Sequence, residues 1–396
     1  AQPGGISTRE ANAQDGKILT MEETILSRKL SPADIHTMWE DETTLLMYKD
    51  GKWQSYDIAT GASSDFSAKP EFSMHAISQD GNLYITYANG TSRLVAEREN
   101  DQITYGEYVS RNEFGINEGT FWAPGNRKLA FYRKDESKVT SFPLLDITTR
   151  TGSLKEIKYP MAGMDSENVQ VGIYNFQTFK TVYLSTPELA YDSYLTNISW
   201  TPDASKVLVQ VLDRSQKNMS MNIYSAHTGK LLKTLFTEYN EKYVEPTDPV
   251  HFVEGTNNVF IYRTDNRDGY KILYLCDLNG NVRRLTPTDA DVQYVANDGK
   301  HVWYTSAEVS PIENHLFRIK ITPNADTAWK GVDGIAIGEP QRLTQTSGWH
   351  EIKMSPGCKH YIDSWSSLTV PRVIDLCHSD GSPLRNLLIA EDPTLP

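Results

Sequence analysis

Apolar and polar positions along this chain alternate with the period of two that marks half-buried strands, in short pieces cut by turn residues. One phrase repeats. An apolar or aromatic strand runs into a Pro/Asp/Gly turn, and a second strand rich in aromatic and β-branched residues follows. It reads Ala76-Ile77-Ser78-Gln79-Asp80-Gly81 before Leu83-Tyr84-Ile85, and Phe121-Trp122-Ala123-Pro124-Gly125 before Leu129-Ala130-Phe131-Tyr132. Later copies are Ile198-Ser199-Trp200-Thr201-Pro202-Asp203 before Val207-Leu208-Val209, and Ile352-Lys353-Met354-Ser355-Pro356-Gly357 before His360-Tyr361-Ile362. Weaker copies lie at His36 to Glu42, His251 to Gly255 and Gln293 to Gly299, which brings the number to seven. Several units go on to a second hairpin, most plainly Ile272 to Leu278, the Asn279-Gly280-Asn281 turn, and Val282 to Thr286.

Four short antiparallel strands per unit, with unit starts mostly ~40 to 60 residues apart, is the spacing of propeller blades. The expected fold is therefore all-β, a propeller of four-stranded antiparallel blades in one closed domain. The interval between the turns at Gly125 and Asp203 is nearly double the shortest, so an extra or enlarged blade is expected there, holding Val169 to Tyr174 and Thr181 to Leu184. A large β-sandwich is the alternative, and it leaves the repeated turn phrase without a reason. Residues 1–16 are polar and are expected to be disordered. Ile18 to Leu30, with Met21, Ile25 and Leu26, suits a short amphipathic helix. Residues 391–396 read as the start of a linker to something beyond.

Composition narrows the function. Hydrophobic residues make up 39% of 396, enough for a large core, yet no run reaches the ~18 apolar residues of a membrane span. Against 51 Asp+Glu stand 39 Lys+Arg, giving a net charge of -12 with no basic stripe, so nucleic acid is not an expected partner. The chain opens Ala1-Gln2-Pro3-Gly4-Gly5 without Met, as a mature exported chain or a trimmed one does. Cys358 and Cys377 fall near opposed positions of a hairpin expected to turn around Ser366 to Thr369. They form either a cross-strand bridge or two small buried hydrophobes.

Much of the usual chemistry has no motif here. There is no Gly-x-Ser-x-Gly elbow, no His-Glu-x-x-His, no phosphate loop and no dinucleotide fingerprint, so neither a metal nor a cofactor is expected. The acidic clusters Glu40-Asp41-Glu42, Asp165-Ser166-Glu167 and Asp289-Ala290-Asp291 read as solvated loop residues. Asp265 to Gly269 reads as a turn between strands, because it lacks the last Glu of a calcium loop.

What stands out is the stretch Arg111 to Pro124, where an acidic insertion joins a copy of the repeated phrase. Asn112-Glu113-Phe114-Gly115-Ile116, then Gly119 to Pro124 and Leu129 to Ser137, resembles the N-terminal propeller of the dipeptidyl peptidase IV family, nearest its bacterial prolyl tripeptidyl peptidase branch. Tyr159 to Gly163, Val171 to Tyr174, Leu195 to Trp200, Tyr243 to Pro246 and Thr369 to Arg372 also match, over about Lys17 to Leu388. The resemblance implies eight blades over 17–390, capping a C-terminal α/β-hydrolase domain that would follow Pro396 with the Ser-Asp-His triad. It implies an exported periplasmic or cell-surface serine peptidase, often a homodimer, that removes short peptides from free N-termini after proline. The chain as given would carry no catalytic residue.

By the same resemblance Glu113 is the clamp for the substrate's α-amine, with Arg111, Asn112 and Glu118 as lesser candidates beside it. The dipeptidyl type carries adjacent glutamates, whereas Glu113 stands between Asn112 and Phe114, so tripeptide release fits as well as dipeptide release or better. A stand-alone propeller that binds a protein or peptide without catalysis is the alternative of a different class.

Overall fold

The computed structural model describes residues 20–27, 30–66, 74–186, 193–324 and 329–392. The polar lead at 1–16 and the end of the expected linker at 393–396 lie outside them. Seven antiparallel sheets follow in chain order over 36–65, 75–96, 103–183, 193–239, 251–284, 292–342 and 349–389. A two-stranded hairpin, Ser141–Asp146 with Ser153–Lys158, makes an eighth sheet. The seven copies of the repeated phrase map one to one onto the seven larger sheets, each as the turn between first and second strands. So short a reversal calls for left-handed backbone, found at Asp80 and Gly81 (φ 51° and 79°) and at Gly125 and Asn126 (φ 77° and 55°). Among the described residues seven sheets have three to five strands, and the eighth is a bare hairpin that carries no copy of the phrase.

From the second sheet round to the seventh and on to the first, neighbouring sheets share apolar cores. Leu83 and Ile85 of the second pack with Leu129 and Phe131 of the third, and Ala130 and Tyr132 of the third with Val207 and Tyr224 of the fourth. Further round, Phe260 of the fifth joins Leu208 of the fourth and Tyr304 of the sixth, and Trp303 joins Tyr361 of the seventh. The last sheet then packs on the first, through Ile362, Ile374 and Leu376 against Leu45, Met47 and Tyr56. The protein is a β-propeller. Among the described residues no strand is exchanged between its first and last sheets; polar contacts tie them, Trp39 Nε1 donating to Lys353 O at 2.9 Å and Lys353 Nζ to Thr37 O at 2.9 Å.

The long interval in the repeat proves to be one enlarged sheet. The Ser141–Asp146 hairpin is inserted between Lys128–Asp135 and Asn168–Asn175, while Asn168–Asn175 and Lys180–Tyr183 complete the third sheet. One strand position of that sheet is also filled in two pieces. Ile103–Tyr105 pairs with Arg133–Asp135 and Thr120–Trp122 with Leu129–Phe131, along the same edge of one strand. Residues 106–119 leave the sheet between the two pieces.

The structure decides one open alternative and corrects two sequence expectations. Cys358 and Cys377 are free buried thiols, because the register sets Tyr361 opposite Cys377 and leaves Cys358 in the preceding turn. The amphipathic helix is one wide turn, Glu22–Leu26, and Met21, Ile25 and Leu26 are exposed. Glu42 and Glu167 are not solvated loop residues. Glu42 accepts hydrogen bonds from Ser355 Oγ at 2.7 Å, Gly357 N at 2.5 Å, Lys359 N at 3.2 Å and His360 Nδ1 at 3.2 Å, linking the first sheet to the last.

Candidate functional site

The segment that leaves the third sheet carries Glu113. Buried Val109 and Ile116 pin its two ends in the core between the third and fourth sheets. Between them the backbone takes a form that L-residues avoid. Ser110, Arg111 and Asn112 are left-handed in succession at φ 54°, 52° and 67°; Glu113 is extended, and Phe114 and Gly115 return to φ 57° and 73°. A left-handed non-glycine residue costs roughly 1–2 kcal/mol, so the surroundings must hold this shape.

They do so from several directions. Glu167 Oε1 accepts the Ser110 N–H at 2.5 Å. The Arg111 guanidinium lies 4.0 Å from the centre of the Tyr159 ring and donates to Lys158 O at 3.3 Å. Phe114 packs on Tyr194 with ring centres 4.8 Å apart, and its carbonyl accepts Asn197 Nδ2 at 3.3 Å. At Gly115 a Cβ would stand 2.1 Å from Thr247 O, so only glycine fits.

Asn197 also donates to Pro246 O at 3.0 Å, and so ties the insertion to the fourth sheet and to the loop after it. Its own φ of 52° lies at an irregularity in the strand between Thr196 and Ser199. Sequence reasoning did not single it out. The available signal was an Asn, the residue most tolerant of left-handed backbone, inside an otherwise strand-like run.

Glu113 stands between two cavities and lines both. The larger, about 1150 Å³, is bounded by the insertion, the end of the Lys128–Asp135 strand, the hairpin stem and the fourth sheet. The smaller, about 410 Å³, runs toward Tyr243, Glu245 and Thr247. Ligand cavities of roughly 300–1,000 Å³ are typical for small molecules, so the larger space has room for a short peptide segment. Asn112 also lines both cavities and Arg111 the larger, whereas exposed Glu118 lines neither.

Four carboxylates and four cations line the larger cavity, so its formal charge is balanced, but its pairing is uneven. Each lining cation is engaged: Arg111 on the hairpin stem, Lys134 with Glu107 at 3.1 Å, Lys158 on Val139 O at 2.9 Å, and Arg214 on Met164 O at 2.9 Å and Ser166 Oγ. Glu107 and Glu167 are engaged in turn. The carboxylates of Glu113 and Glu136 make no hydrogen bond or ion pair among the described residues. Burial pulls the Lys134 pKa down, but Glu136, Glu107 and Glu167 outweigh it and hold the ammonium above its ordinary value. Burial pushes the Glu167 carboxyl up, against the Ser110 N–H and Lys134. Glu136 thus acts on Lys134, and the Glu113 carboxylate, without a hydrogen bond or ion pair among the described residues, suits a cationic ligand group. Among the described residues no set of three His, Cys, Asp or Glu is placed to hold a metal ion.

Comparison with known proteins gives a consistent picture. Residues 36–372 match the family model for the dipeptidyl peptidase IV (DPP IV) N-terminal region. Dipeptidyl-aminopeptidase B of Aspergillus niger is 21% identical over 369 residues, covering 81% of this chain and 39% of the fungal protein. Dipeptidyl peptidase 4 of Porphyromonas gingivalis has a similar structure, with a TM-score of 0.67 and 25% identity over 90% of this chain and 50% of that one. A candidate dipeptidyl aminopeptidase IV of Bacteroides ovatus gives 0.67 and 32%, over 91% of this chain and 53% of that one. The chain thus spans no more than about half the length of these relatives.

Proposed function

The chain belongs to the family of dipeptidyl peptidase IV N-terminal regions, and from that premise we propose that it is the substrate-gating propeller of a serine exopeptidase acting on free N-termini. The observation that carries this reading is the Glu113 carboxylate, unpaired among the described residues and borne on a backbone held at several points beside a peptide-sized cavity. An internal peptide bond has no cation, whereas a chain end carries an ammonium. A charge-assisted hydrogen bond between that ammonium and a fixed carboxylate contributes roughly 1.5–3 kcal/mol, which selects ends over internal sites.

Anchoring also positions. In this reading the nucleophilic serine belongs to a hydrolase domain of the same polypeptide, and a peptide tethered at Glu113 meets it in a fixed register, as an intramolecular reactant would. The distance from Glu113 to that serine then acts as a ruler. One more residue lengthens an extended peptide by roughly 3.3–3.6 Å, so the same clamp set farther away releases a tripeptide instead of a dipeptide. The enzyme works outside the cytoplasm, in the periplasm or at the cell surface.

Product analysis tests the reading. The full-length protein is incubated with peptides carrying proline second or third, each with a free and with an acetylated N-terminus, and the fragments are weighed by mass spectrometry. Expected is release of one short N-terminal peptide ending in proline from the free-amine forms alone. Equal cleavage of the acetylated forms contradicts the anchoring role, and no cleavage at all favours a binding propeller without catalysis.

A further inference from the structure

Resting on the reading of Glu113 as the amine anchor, we propose that Glu167 is the positioning residue of that anchor: by accepting the Ser110 N–H, its carboxylate holds the left-handed turn that aims Glu113 into the cavity. Glu167 is remote in sequence, 57 residues from Ser110, and comes from beyond the hairpin. It immediately precedes Asn168, which pairs with Asp135, and so it stands at the wall of the larger cavity beside the end of the Lys128–Asp135 strand. From there it meets the insertion at Ser110, the first of the three successive left-handed residues.

A run of that kind persists only where the structure around it overdetermines the conformation. Within the segment the Asn112 N–H donates to Val109 O at 3.3 Å, and the other ties to its surroundings act later, on the Arg111 and Phe114 side chains, the Phe114 carbonyl and the space at Gly115. Among the described residues Glu167 is the partner of the Ser110 N–H, at the point of entry. A carboxylate is the strong form of acceptor for that N–H, and amide or hydroxyl acceptors are weaker. The charged groups around Glu167 are Lys134 and Glu136 from the strand end and its continuation, and Arg111 from the insertion. With the acceptor removed, the Ser110 to Asn112 run relaxes toward right-handed or extended backbone, and the Glu113 carboxylate is displaced.

The experiment compares Glu167→Ala, Glu167→Gln and Glu113→Gln in the full-length enzyme, on one free-amine peptide and its N-acetylated form. Glu167→Ala is expected to raise KM for the free-amine peptide about tenfold, with a smaller change in kcat, and to shrink the free-to-acetylated preference by the same factor. Glu167→Gln, whose neutral amide oxygen is the weaker acceptor, is expected to recover only part of the loss, to the level that protonation of Glu167 gives in the parent enzyme. Burial raises the Glu167 pKa, so in the parent enzyme KM should climb as pH falls through that raised value. Glu167→Gln should lack this limb, which gives a readout even if the Ala variant fails to fold. An unchanged preference in Glu167→Ala, or a Glu167→Gln profile superimposable on the parent's, overturns the proposal. If Glu113→Gln collapses the preference while Glu167→Ala leaves it intact, only the role of Glu167 is refuted; if Glu113→Gln also leaves it intact, the anchoring reading fails as well.

Discussion

Glu113→Gln in the full-length enzyme should raise KM for free-amine peptides at least about tenfold, and N-acetylated peptides should be affected far less. The exchange keeps shape and removes charge. Losing the charged partner of a bound ammonium forfeits at least about 1.4 kcal/mol, which is a factor of ten in affinity. Stability should hardly change, because the Glu113 carboxylate has no intramolecular partner among the described residues to lose. Steady-state kinetics on the paired peptides, with a melting curve of the variant as control, checks both statements. Unchanged KM would remove Glu113 from substrate binding.

The second large effect concerns the ring itself. A propeller must join its last sheet to its first, and among the described residues no shared strand does so. The Glu42 carboxylate takes donors from Ser355, Gly357, Lys359 and His360 in the turn and strand start of the seventh sheet. Glu42→Ala strips the acceptor from all of them while the apolar contacts at Leu45 and Ile362 remain. Removing one partner of a semi-buried charged network costs about 2–4 kcal/mol. At roughly 2 °C per kcal/mol for a large domain, the thermal midpoint should fall by roughly 4–8 °C. Glu118→Ala, at an exposed site outside both cavities, serves as the control and should leave the midpoint nearly unchanged. A midpoint for Glu42→Ala equal to that of the parent would show that the apolar contacts close the ring by themselves.

These two residues mark what was legible in the sequence and what was not. The repeated phrase gave a reliable reading, because a strand and its turn are local: alternation sets the strand, and Asp, Asn and Gly at left-handed positions set the reversal. Seven phrases became seven sheets. Glu42 and Glu167 read as solvated because each sits in an acidic run at a turn, and their partners lie 313 to 318 and 57 residues away. Local pattern carries no information about such distant pairing.

The cysteines stayed open between a bridge and two buried hydrophobes for a related reason. Cys358 and Cys377 flank one hairpin, but register is fixed by the whole strand pair, and His360 opposite His378 leaves Cys358 outside the ladder. Glu113 was singled out because its segment is unlike its neighbours in the repeat. Its supports at Asn197, Tyr159 and Glu167 come from separate parts of the chain and emerge only from the fold.

The most direct measurement is a crystal structure of the full-length protein with a slowly cleaved free-amine peptide bound. The account predicts the peptide's terminal nitrogen at about 2.7–2.9 Å from a Glu113 carboxylate oxygen, with the Ser110 to Gly115 turn unchanged. A terminal nitrogen held by other groups, with Glu113 left facing solvent, would contradict it.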